Sequence, residues 1–327
     1  MKKVLVTGAA GFIGSNLVEF LLENTDFEVF AIDNLQAGKK IYETFIKPLE
    51  NEYQSRLHFY KEDIKNIEEK FDYFFYLGNY FDTVFHLAAT PSVPYSVEYP
   101  KTTNENNVSK TLILLDWCAR KKVKRFVFSS SSAIYGDTNE FPTSESCAIS
   151  PKSPYALQKR IIEEYCKLYS ELYNIETVCL RYFNVYGPNQ YSENAYSSVI
   201  CAWIKCAVIG TNVRLDGDGS QIRDFVYVKD VCFANFLAAT SIEKFHGDIF
   251  NVGSGRNNSL IDILYMIKSI SDIKGIDYAN GRVGDVFKTH SNIEKISKLG
   301  YFPKTNINDG IQKTLFWYKE IIKKHEA

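Results

Sequence analysis

The sequence predicts an α/β fold built on a doubly wound parallel sheet. Over roughly the first 180 residues, short apolar runs rich in β-branched residues alternate with segments whose apolar residues recur at helical spacing. Such alternation is typical of parallel strands joined by helical crossovers. The first apolar run, 2–7, passes into a glycine-rich loop and then into the helical pattern of 12–22.

The later elements extend this alternation. Strands are predicted at 29–32, 57–60, 83–87, 125–128 and 177–182, and helices at 112–118 and 155–173. The charged segment 37–56 has apolar residues on one face, which predicts an inserted surface helix. After residue 188 the rhythm loosens. We therefore expect one domain over 1–183 and a smaller mixed α/β domain over 184–327, from which 225–252 crosses back to the main sheet.

Composition argues against several kinds of protein. The chain has 327 residues, a hydrophobic share of 45% and a net charge of -1, so it can bury a core and gives no reason to expect nucleic acid or a membrane as partner. No apolar run reaches the ~18–20 residues that span a bilayer.

The seven cysteines form no C-x-x-C pair and the five histidines show no ligand spacing. We expect free thiols rather than disulfides or metal, and a cytoplasmic location.

The glycine loop after the first strand predicts a dinucleotide site. Gly8, Gly11 and Gly14 have the spacing G-x-x-G-x-x-G, one residue wider than the commonest fingerprint. Glycines let the backbone approach a pyrophosphate, and the N-terminus of the next helix offers free N–H groups. Asp33 ends the second strand, where a carboxylate can bind the ribose hydroxyls and repel a 2′-phosphate. The pattern indicates a Rossmann-type domain that binds NAD rather than NADP.

A tyrosine and a lysine one helical turn apart are candidate catalytic residues. Tyr155 and Lys159 lie on one face of the predicted helix. A nearby ammonium and a cationic nicotinamide would favour the phenolate, lowering the pKa of Tyr155 toward the working range. The alternative is an ordinary helix with one aromatic and one solvated lysine. The serines 129–132 end the preceding strand. One of their hydroxyls could hydrogen-bond the reacting alcohol, and the alternative is an ordinary polar strand end.

Motifs along nearly the whole chain resemble one enzyme family. In chain order they occupy 8–14, 86–89, 129–136, 153–159, 181–188, 217–219, 223–228, 251–253 and 282–285. Their combination is highly specific and looks like that of the NAD-dependent nucleotide-sugar epimerases and dehydratases, a branch of the extended short-chain dehydrogenases/reductases. The resemblance implies an NAD-dependent enzyme whose substrate is a nucleotide-diphosphate sugar.

The resemblance also implies roles for single residues. Tyr155 would be the base, Ser131 its hydroxyl partner with Ser132 as the alternative, and Lys159 would also hold the nicotinamide ribose. The implied cofactor site consists of Gly8, Gly11, Phe12, Ile13, Gly14, Asp33, Asn34, Asp63, Ile64, Leu87, Ala88, Ala89, Asn107, Tyr155, Lys159 and Tyr182. The implied substrate site consists of Ser92, Ser131, Asn184, Val199, Arg223, Arg282, Asp285 and Thr289. The alternative for Arg223 is a salt bridge to a neighbour such as Asp224.

The same motifs favour epimerisation at carbon 4 of the sugar. In the 4,6-dehydratases an Asp-Glu pair follows the serine or threonine, whereas this chain has Ser132 and Ala133 there. In 4-epimerases, hydride passes from carbon 4 to NAD⁺ and returns to the other face of a 4-keto sugar. The alternatives are a 4-dehydrogenase, an epimerase at another carbon, and a non-catalytic dinucleotide-binding sensor, although sensors tend to lose the Tyr–Lys pair.

Two regions indicate the sugar through the same resemblance. The run 92–96 is similar to a loop of UDP-N-acetylglucosamine 4-epimerases. Similar to the same group are Asn189-Gln190 and Ala195-Tyr196, the latter ahead of Val199-Ile200. Thr289 stands where simple UDP-glucose epimerases can have a bulky tyrosine, which leaves room for an N-acetyl group, and Pro94 replaces an arginine of glucuronate epimerases. We expect UDP-GlcNAc/UDP-GalNAc, with UDP-Glc/UDP-Gal as second substrates. The alternative is a GDP-, ADP- or uronic-acid-linked sugar.

A homodimer is expected by analogy with the family, through the helices around 109–122 and 155–173. The candidate contact residues are Leu168, Tyr169, Leu172 and Tyr173. Burial of these side chains within their own chain is the alternative.

Overall fold

The computed structural model describes residues 1–191, 198–280 and 287–326, and its first half alternates strands with helices. The strands are β1 Lys3–Thr7, β2 Glu28–Asp33, β3 Leu57–Lys61, β4 Thr83–His86, β5 Arg125–Ser131 and β6 Glu176–Tyr182. The α-helices are α1 Phe12–Asn24, α2 Lys39–Ile41, α3 Lys47–Glu52, α4 Ile67–Tyr76, α5 Val93–Glu98, α6 Pro100–Asn104, α7 Lys110–Arg120 and α8 Pro154–Tyr173. π-Helical turns occupy Tyr42–Ile46 and Glu105–Ser109, and 3₁₀ helices occupy Ile64–Asn66 and Ser132–Tyr135.

The second half has shorter strands. They are β7 Asn184–Tyr186, β8 Val213–Asp216, β9 Ile222–Arg223, β10 Phe225–Tyr227, β11 His246–Val252, β12 Asn258–Ser259 and β13 Ile276–Ala279. The helices are α9 Val199–Ile209, α10 Val228–Thr240, α11 Leu260–Ile270, α12 Glu294–Ser297 and α13 Ile307–Glu326.

Seven parallel strands form the central sheet of the described chain, in the order β11-β6-β5-β4-β1-β2-β3. The chain order reverses between β1 and β4, where an open α/β sheet has its ligand crevice. Thr7 is paired there with His86, and Ser131 with Tyr182, so the predicted site residues at these strand ends share one edge. The sheet confirms the predicted Rossmann-type α/β fold.

The strands between β6 and β11 do not join the central sheet. β10 pairs in parallel with β7, β8 pairs in parallel with β13, and β9 pairs in antiparallel orientation with β12. Within the segment 225–252 that is expected to cross back, β11 joins the sheet and α10 packs against α1, whereas β10 does not join the sheet. The reason is that β7 follows β6 directly and offers β10 a parallel partner of its own. The boundary at residue 183 stays a prediction.

Alternating side chains of the central strands build a core on each face of the sheet. Val4 and Val6 point into the cluster that contains α1 and α10, whereas Leu5 points into the cluster that contains α4, α7 and α8. The segment predicted as a surface helix forms α2, a π turn and α3. The apolar face of this segment is more buried than expected for a surface helix, because Ile46 and Leu49 lie in the first core cluster.

The turn between β1 and α1 requires glycine at its first position. Gly8 has a φ of +67°, which side chains disfavour. A Cβ there would lie 2.7 Å from the Ala88 amide nitrogen and 2.8 Å from the Ala88 Cα. The loops after β1 and β4 can therefore approach each other this closely only because residue 8 has no side chain.

We expect Gly8→Ala to destabilise the fold more than Gly78→Ala. Gly78 has a similar φ of +79° but no atom within 4 Å of its hypothetical Cβ, so it isolates the backbone cost of about 1–2 kcal/mol. The backbone overlap at Gly8 should add about 1–3 kcal/mol. Denaturant titration measures both free energies of unfolding, and equal losses would contradict the steric argument.

Candidate active site

Three glycines shape the loop between β1 and α1. The Gly11 amide donates to the Gly8 carbonyl over 2.9 Å, and a Cβ on Gly14 would lie 2.0 Å from that carbonyl oxygen. Gly11 is the N-cap of α1, whose first turn has no acidic residue. The helix therefore presents its N–H groups and positive end at the loop, which suits an anionic group. Phe12 and Ile13 open the helix and pack partly against the core.

Asp33 lies against this loop at the end of β2. Its carboxylate accepts hydrogen bonds from the Ala10 amide at 3.1 Å and from the Leu35 amide at 2.8 Å. Burial raises the pKa of Asp33, and the two amide hydrogen bonds act in the opposite direction. The carboxylate is thus fixed beside the glycine loop.

Asp63 is fixed by Asn34 and by Lys110, which the sequence analysis missed. Its Oδ2 accepts from Asn34 Nδ2 at 3.0 Å and from Lys110 Nζ at 2.8 Å. Burial would raise the pKa of Asp63, but the hydrogen bonds from Lys110, the Lys65 amide and Asn34 lower it overall. The neighbouring Ile64 is buried. Since Lys110 is 47 positions from Asp63, no local spacing in the sequence identifies it.

Asn107 holds the loop that follows β4. Its side chain accepts from the Thr90 amide at 2.7 Å and donates to the Thr90 carbonyl at 3.0 Å and to Gln158 at 2.8 Å. The Ala88 amide donates to the Thr7 hydroxyl at 3.3 Å. These bonds leave Leu87, Ala88 and Ala89 partly exposed at the sheet edge. Further along, Ser92 caps α5 by accepting from the Tyr95 amide at 3.1 Å.

Helix α8 packs Tyr155 and Lys159 against the C-terminal end of β5. Ser153 caps the helix and Pro154 is its first residue, which fixes where the helix begins. Lys159 Nζ donates to the Ser129 carbonyl at 2.7 Å and lies 5.8 Å from the centre of the Tyr155 ring. Both side chains are at least nine-tenths buried. The predicted pair is therefore one contiguous cluster at the strand end.

Burial dominates the protonation of this pair. It raises the pKa of Tyr155 to about 12, although a hydrogen bond with the Ser131 side chain lowers it. Burial also lowers the pKa of Lys159 to about 8, against the charge of Glu163. The expected lowering of the Tyr155 pKa depends on a cationic nicotinamide as well as on Lys159, so it stays a prediction. Ser131 rather than Ser132 contacts Tyr155, since Ser132 already begins a 3₁₀ helix.

The Tyr182 hydroxyl lies on the opposite side of β5. It is 3.0 Å from Ser129 Oγ, and the Asn235 amide donates to it at 2.8 Å. Burial strongly raises the pKa of Tyr182, so this phenol stays protonated. Its hydroxyl is already bonded within the protein, so the ring is the part left for the predicted cofactor contact.

Asn184 and Thr289 are joined on the second-half side of the site. Asn184 Nδ2 donates to Thr289 Oγ1 at 3.0 Å, and the Asp224 amide donates to the same oxygen at 3.1 Å. Arg223 is nine-tenths buried and donates to the Phe287 carbonyl at 3.0 Å. Val199 begins α9 and is half-buried.

Arg282 and Asp285 lie outside the described residues, as do Ala195 and Tyr196 of the sugar motif. The alternative ion pair between Arg223 and Asp224 is not seen in the described part of the chain. The Asp224 carboxylate instead accepts from the amides of Ser254 at 2.7 Å, Ser291 at 3.0 Å and Gly255 at 3.2 Å.

Within 1–191, 198–280 and 287–326, no three His, Cys, Asp or Glu side chains are grouped to hold a metal ion. None of the helices described there combines the length and hydropathy needed to cross a bilayer.

Comparison with known proteins identifies the family. Residues 4–253 match the NAD dependent epimerase/dehydratase family. A putative UDP-glucose 4-epimerase of Methanocaldococcus jannaschii is 36% identical over 97% of this chain and 98% of its own length.

Solved structures agree with this assignment. The UDP-N-acetylglucosamine 4-epimerase from Methanobrevibacter ruminantium M1, in complex with UDP-N-acetylmuramic acid, has a TM-score of 0.89 at 36% identity, covering 98% of this chain and 99% of that one. A UDP-glucuronic acid 4-epimerase from Bacillus cereus, in complex with UDP-glucuronic acid and NAD, has a TM-score of 0.87 at 31% identity and the same coverage. The predicted enzyme class and the cofactor NAD are confirmed, and the chain belongs to the NAD-dependent epimerase/dehydratase family of nucleotide-sugar enzymes.

Proposed function

We propose that the protein is a 4-epimerase that interconverts UDP-GlcNAc and UDP-GalNAc, with UDP-Glc and UDP-Gal as second substrates, through a transient 4-keto sugar. The observation that carries the proposal is the cluster of Tyr155, Ser131 and Lys159 at the carboxyl edge of the sheet. That edge also holds the glycine loop, so one crevice offers a base, a hydroxyl partner and a dinucleotide cradle.

The residues around the glycine loop fit NAD. Gly8 and Gly14 let the loop fold tightly against Ala88 and the Gly8 carbonyl, the positive end of α1 faces the loop, and Asp33 is fixed beside it. In our proposal Asp33 binds the adenosine ribose, Asp63 and Ile64 flank the adenine, and Lys159 holds the nicotinamide ribose. The remaining proposed contacts are Gly11, Phe12, Ile13, Asn34, Leu87, Ala88, Ala89, Asn107, Tyr155 and Tyr182.

In the proposed mechanism Tyr155 takes the proton of the sugar C4 hydroxyl while Ser131 hydrogen-bonds the same hydroxyl. When bound, NAD⁺ would supply a positive charge near the phenol and the hydride chemistry at carbon 4. The Lys159 ammonium stabilises the phenolate against the burial that raises the pKa of Tyr155. Rotation of the keto sugar within the crevice exposes its other face, and Tyr155 returns the proton to the new C4 oxygen.

The residues beside Tyr155 disfavour dehydration. A 4,6-dehydratase needs a further acid and base, and Ser132 and Ala133 provide neither. A 4-dehydrogenase or an epimerase at another carbon would use the same cluster, and NADH accumulation or product analysis distinguishes them. A non-catalytic sensor is disfavoured because both Tyr155 and Lys159 are present and in contact with the strand end.

The substrate side supports a UDP-linked N-acetylhexosamine. Asn184 and Arg223, with Arg282, are proposed to bind the diphosphate, because guanidinium groups form strong charge-assisted bonds to phosphate. Thr289 is small and leaves space at the sugar, and a relative at 36% identity is a UDP-N-acetylglucosamine 4-epimerase. The remaining proposed substrate contacts are Ser92, Val199 and Asp285.

We expect Tyr155→Phe to lower kcat by roughly 10²–10⁴-fold, because the base is removed while the ring remains. NAD binding, followed by calorimetry, should persist. Tyr165→Phe on the same helix is the matched control and should keep wild-type turnover of UDP-GlcNAc, measured by NMR of the products. A Tyr155→Phe enzyme as fast as the control would refute the assigned base.

We expect Thr289→Tyr to lower kcat/KM for UDP-GlcNAc by roughly tenfold or more, because a larger side chain overpacks the space for the N-acetyl group. Turnover of UDP-Glc should fall much less. Thr289→Ser keeps the hydroxyl that accepts from Asn184 and Asp224 and should behave like wild type. Equal losses for the two substrates in Thr289→Tyr would contradict the assigned specificity.

We also propose a homodimer that packs α7 and α8 against their copies. Leu168, Leu172 and Tyr173 are 46%, 69% and 54% exposed, so their own chain leaves them uncovered. Apolar side chains exposed along one helix are typical of a protein interface.

We expect Leu172→Asp to convert a dimer into a monomer in sedimentation velocity, because a charge would be buried at the interface. Ile242→Asp, at a fully exposed position outside both helices, is the control and should not change the assembly. A Leu172→Asp protein that sediments like wild type would rule out this interface.

A further inference from the structure

Glu163 is a buried carboxylate one helical turn beyond Lys159. Its side chain has no exposed surface, and it accepts from Ser130 Oγ at 2.6 Å, Arg181 Nε at 2.8 Å and Arg181 Nη2 at 2.7 Å. A buried charge persists only when it is paired and hydrogen-bonded, and these contacts occupy both carboxylate oxygens. The proposed chemistry assigns Glu163 no role.

Arg181 extends this contact toward the second half of the chain. Its Nη1 donates to the Tyr135 hydroxyl at 2.8 Å, and that hydroxyl donates to Asn251 Oδ1 at 2.6 Å. Asn251 lies in β11 and donates to the Thr143 carbonyl at 2.9 Å. Burial raises the pKa of Tyr135 to about 12, so its phenol remains a donor to Asn251.

Helix α8 holds three successive residues of β5 with three side chains spaced at i, i+4 and i+8. The contacts are Tyr155 with the Ser131 side chain, Lys159 with the Ser129 carbonyl, and Glu163 with the Ser130 hydroxyl. Because neighbouring turns of a helix stack on one face, these side chains move together with the helix. The Glu163 contact thus fixes the strand residue that lies between the contacts of the other two.

We infer that Glu163 is a positioning residue for the reaction: it anchors the end of β5 to α8 through Ser130, and its charge keeps the neighbouring Lys159 an ammonium. The inference rests on the proposed function, because the catalytic role of the Lys159 ammonium belongs to that proposal. Glu163 touches neither cofactor nor sugar in this scheme and acts only through Lys159 and the serine run.

The charge effect depends on every titratable group around Lys159. The groups on α8 are Tyr155, Arg160 and Glu163, and those on the neighbouring strands β4 and β6 are His86, Cys179 and Arg181; both arginines pair with Glu163. His86 is neutral, since burial and the charge of Lys159 lower its pKa to about 3. Cys179 is neutral too, since its contact with Cys166 and its burial raise its pKa. Glu163 is therefore the anion that offsets the burial of Lys159 among the described groups.

Burial and Glu163 act on the pKa of Lys159 in opposite directions. Burial lowers the pKa of Lys159 to about 8, and Glu163 raises it. Loss of the carboxylate charge should therefore lower this pKa further, so the ammonium would be lost at a lower pH as the pH rises. Glu163→Gln should move the alkaline limb of the kcat profile to lower pH by about one pH unit. Glu163→Asp keeps the charge and should keep the limb in place.

The deciding experiment titrates Lys159 directly in the enzyme with bound NAD. NMR of ¹³Cε-labelled lysine, with the Lys159 signal assigned by its loss in Lys159→Met, reports the pKa without any turnover. The expected order is wild type equal to Glu163→Asp and above Glu163→Gln. A Glu163→Gln enzyme whose Lys159 titrates as in wild type would overturn the charge role. Expected titrations without turnover of any nucleotide sugar would contradict the proposed function alone.

A second variant tests the anchoring step even where Glu163→Gln fails to fold. Ser130→Ala removes one hydrogen bond to Glu163 and leaves the Arg181 pair intact, and it should lower kcat by roughly tenfold with KM unchanged. Ser170→Ala is the matched control, because Ser170 is a buried serine of α8 that bonds the Ile175 carbonyl at 2.7 Å far from the site. Equal kcat for the two variants would overturn the anchoring role.

Discussion

Burial of Tyr155 and Lys159 is the constraint on which the site depends. The same desolvation raises the pKa of the phenol to about 12 and lowers that of the ammonium to about 8, so both groups are pushed toward their neutral forms. The chemistry proposed here requires the opposite, a phenolate beside an ammonium. Each nearby bond or charge that favours the charged forms therefore bears on function: the Ser131 hydroxyl, the Ser129 carbonyl, the Glu163 carboxylate and a cationic cofactor ring.

The two sides of the crevice are built by different means. On the proposed cofactor side, the loops that follow β1 and β4 approach closely because Gly8 has no side chain, and amides fix Asp33. On the other side, short strands of the second half carry the polar groups, and Asn184 and Thr289 share a hydrogen bond. The glycine-loop side is thus fixed by backbone contacts, whereas the opposite side is assembled from several segments. This arrangement suits the proposed reaction, in which the cofactor stays in place and the keto sugar rotates.

Local patterns in the sequence predicted what depends on local structure. The glycine spacing, the i, i+4 pair of Tyr155 and Lys159, and the alternation of strands and helices all follow from backbone geometry. Contacts between separate elements were missed, since Lys110 and Asp63 are 47 positions apart and Arg181 and Glu163 are 18 apart. Burial also raises the pKa of Tyr155, which spacing does not predict: spacing reveals a neighbouring charge, but desolvation depends on what the rest of the chain packs around it.

The end of β6 explains why a buried ion pair belongs in this fold. Arg181 holds Glu163, the next residue is the proposed cofactor contact Tyr182, and Asn184 of the substrate side begins β7 two residues later. A buried ion pair contributes little net stability compared with apolar packing, but breaking it is costly, so it specifies one arrangement. An apolar pair at 163 and 181 would fill the same space without fixing the register of Ser130 against α8. The network through Arg181 therefore couples the position of the proposed catalytic strand end to the strand that leads into the proposed sugar site.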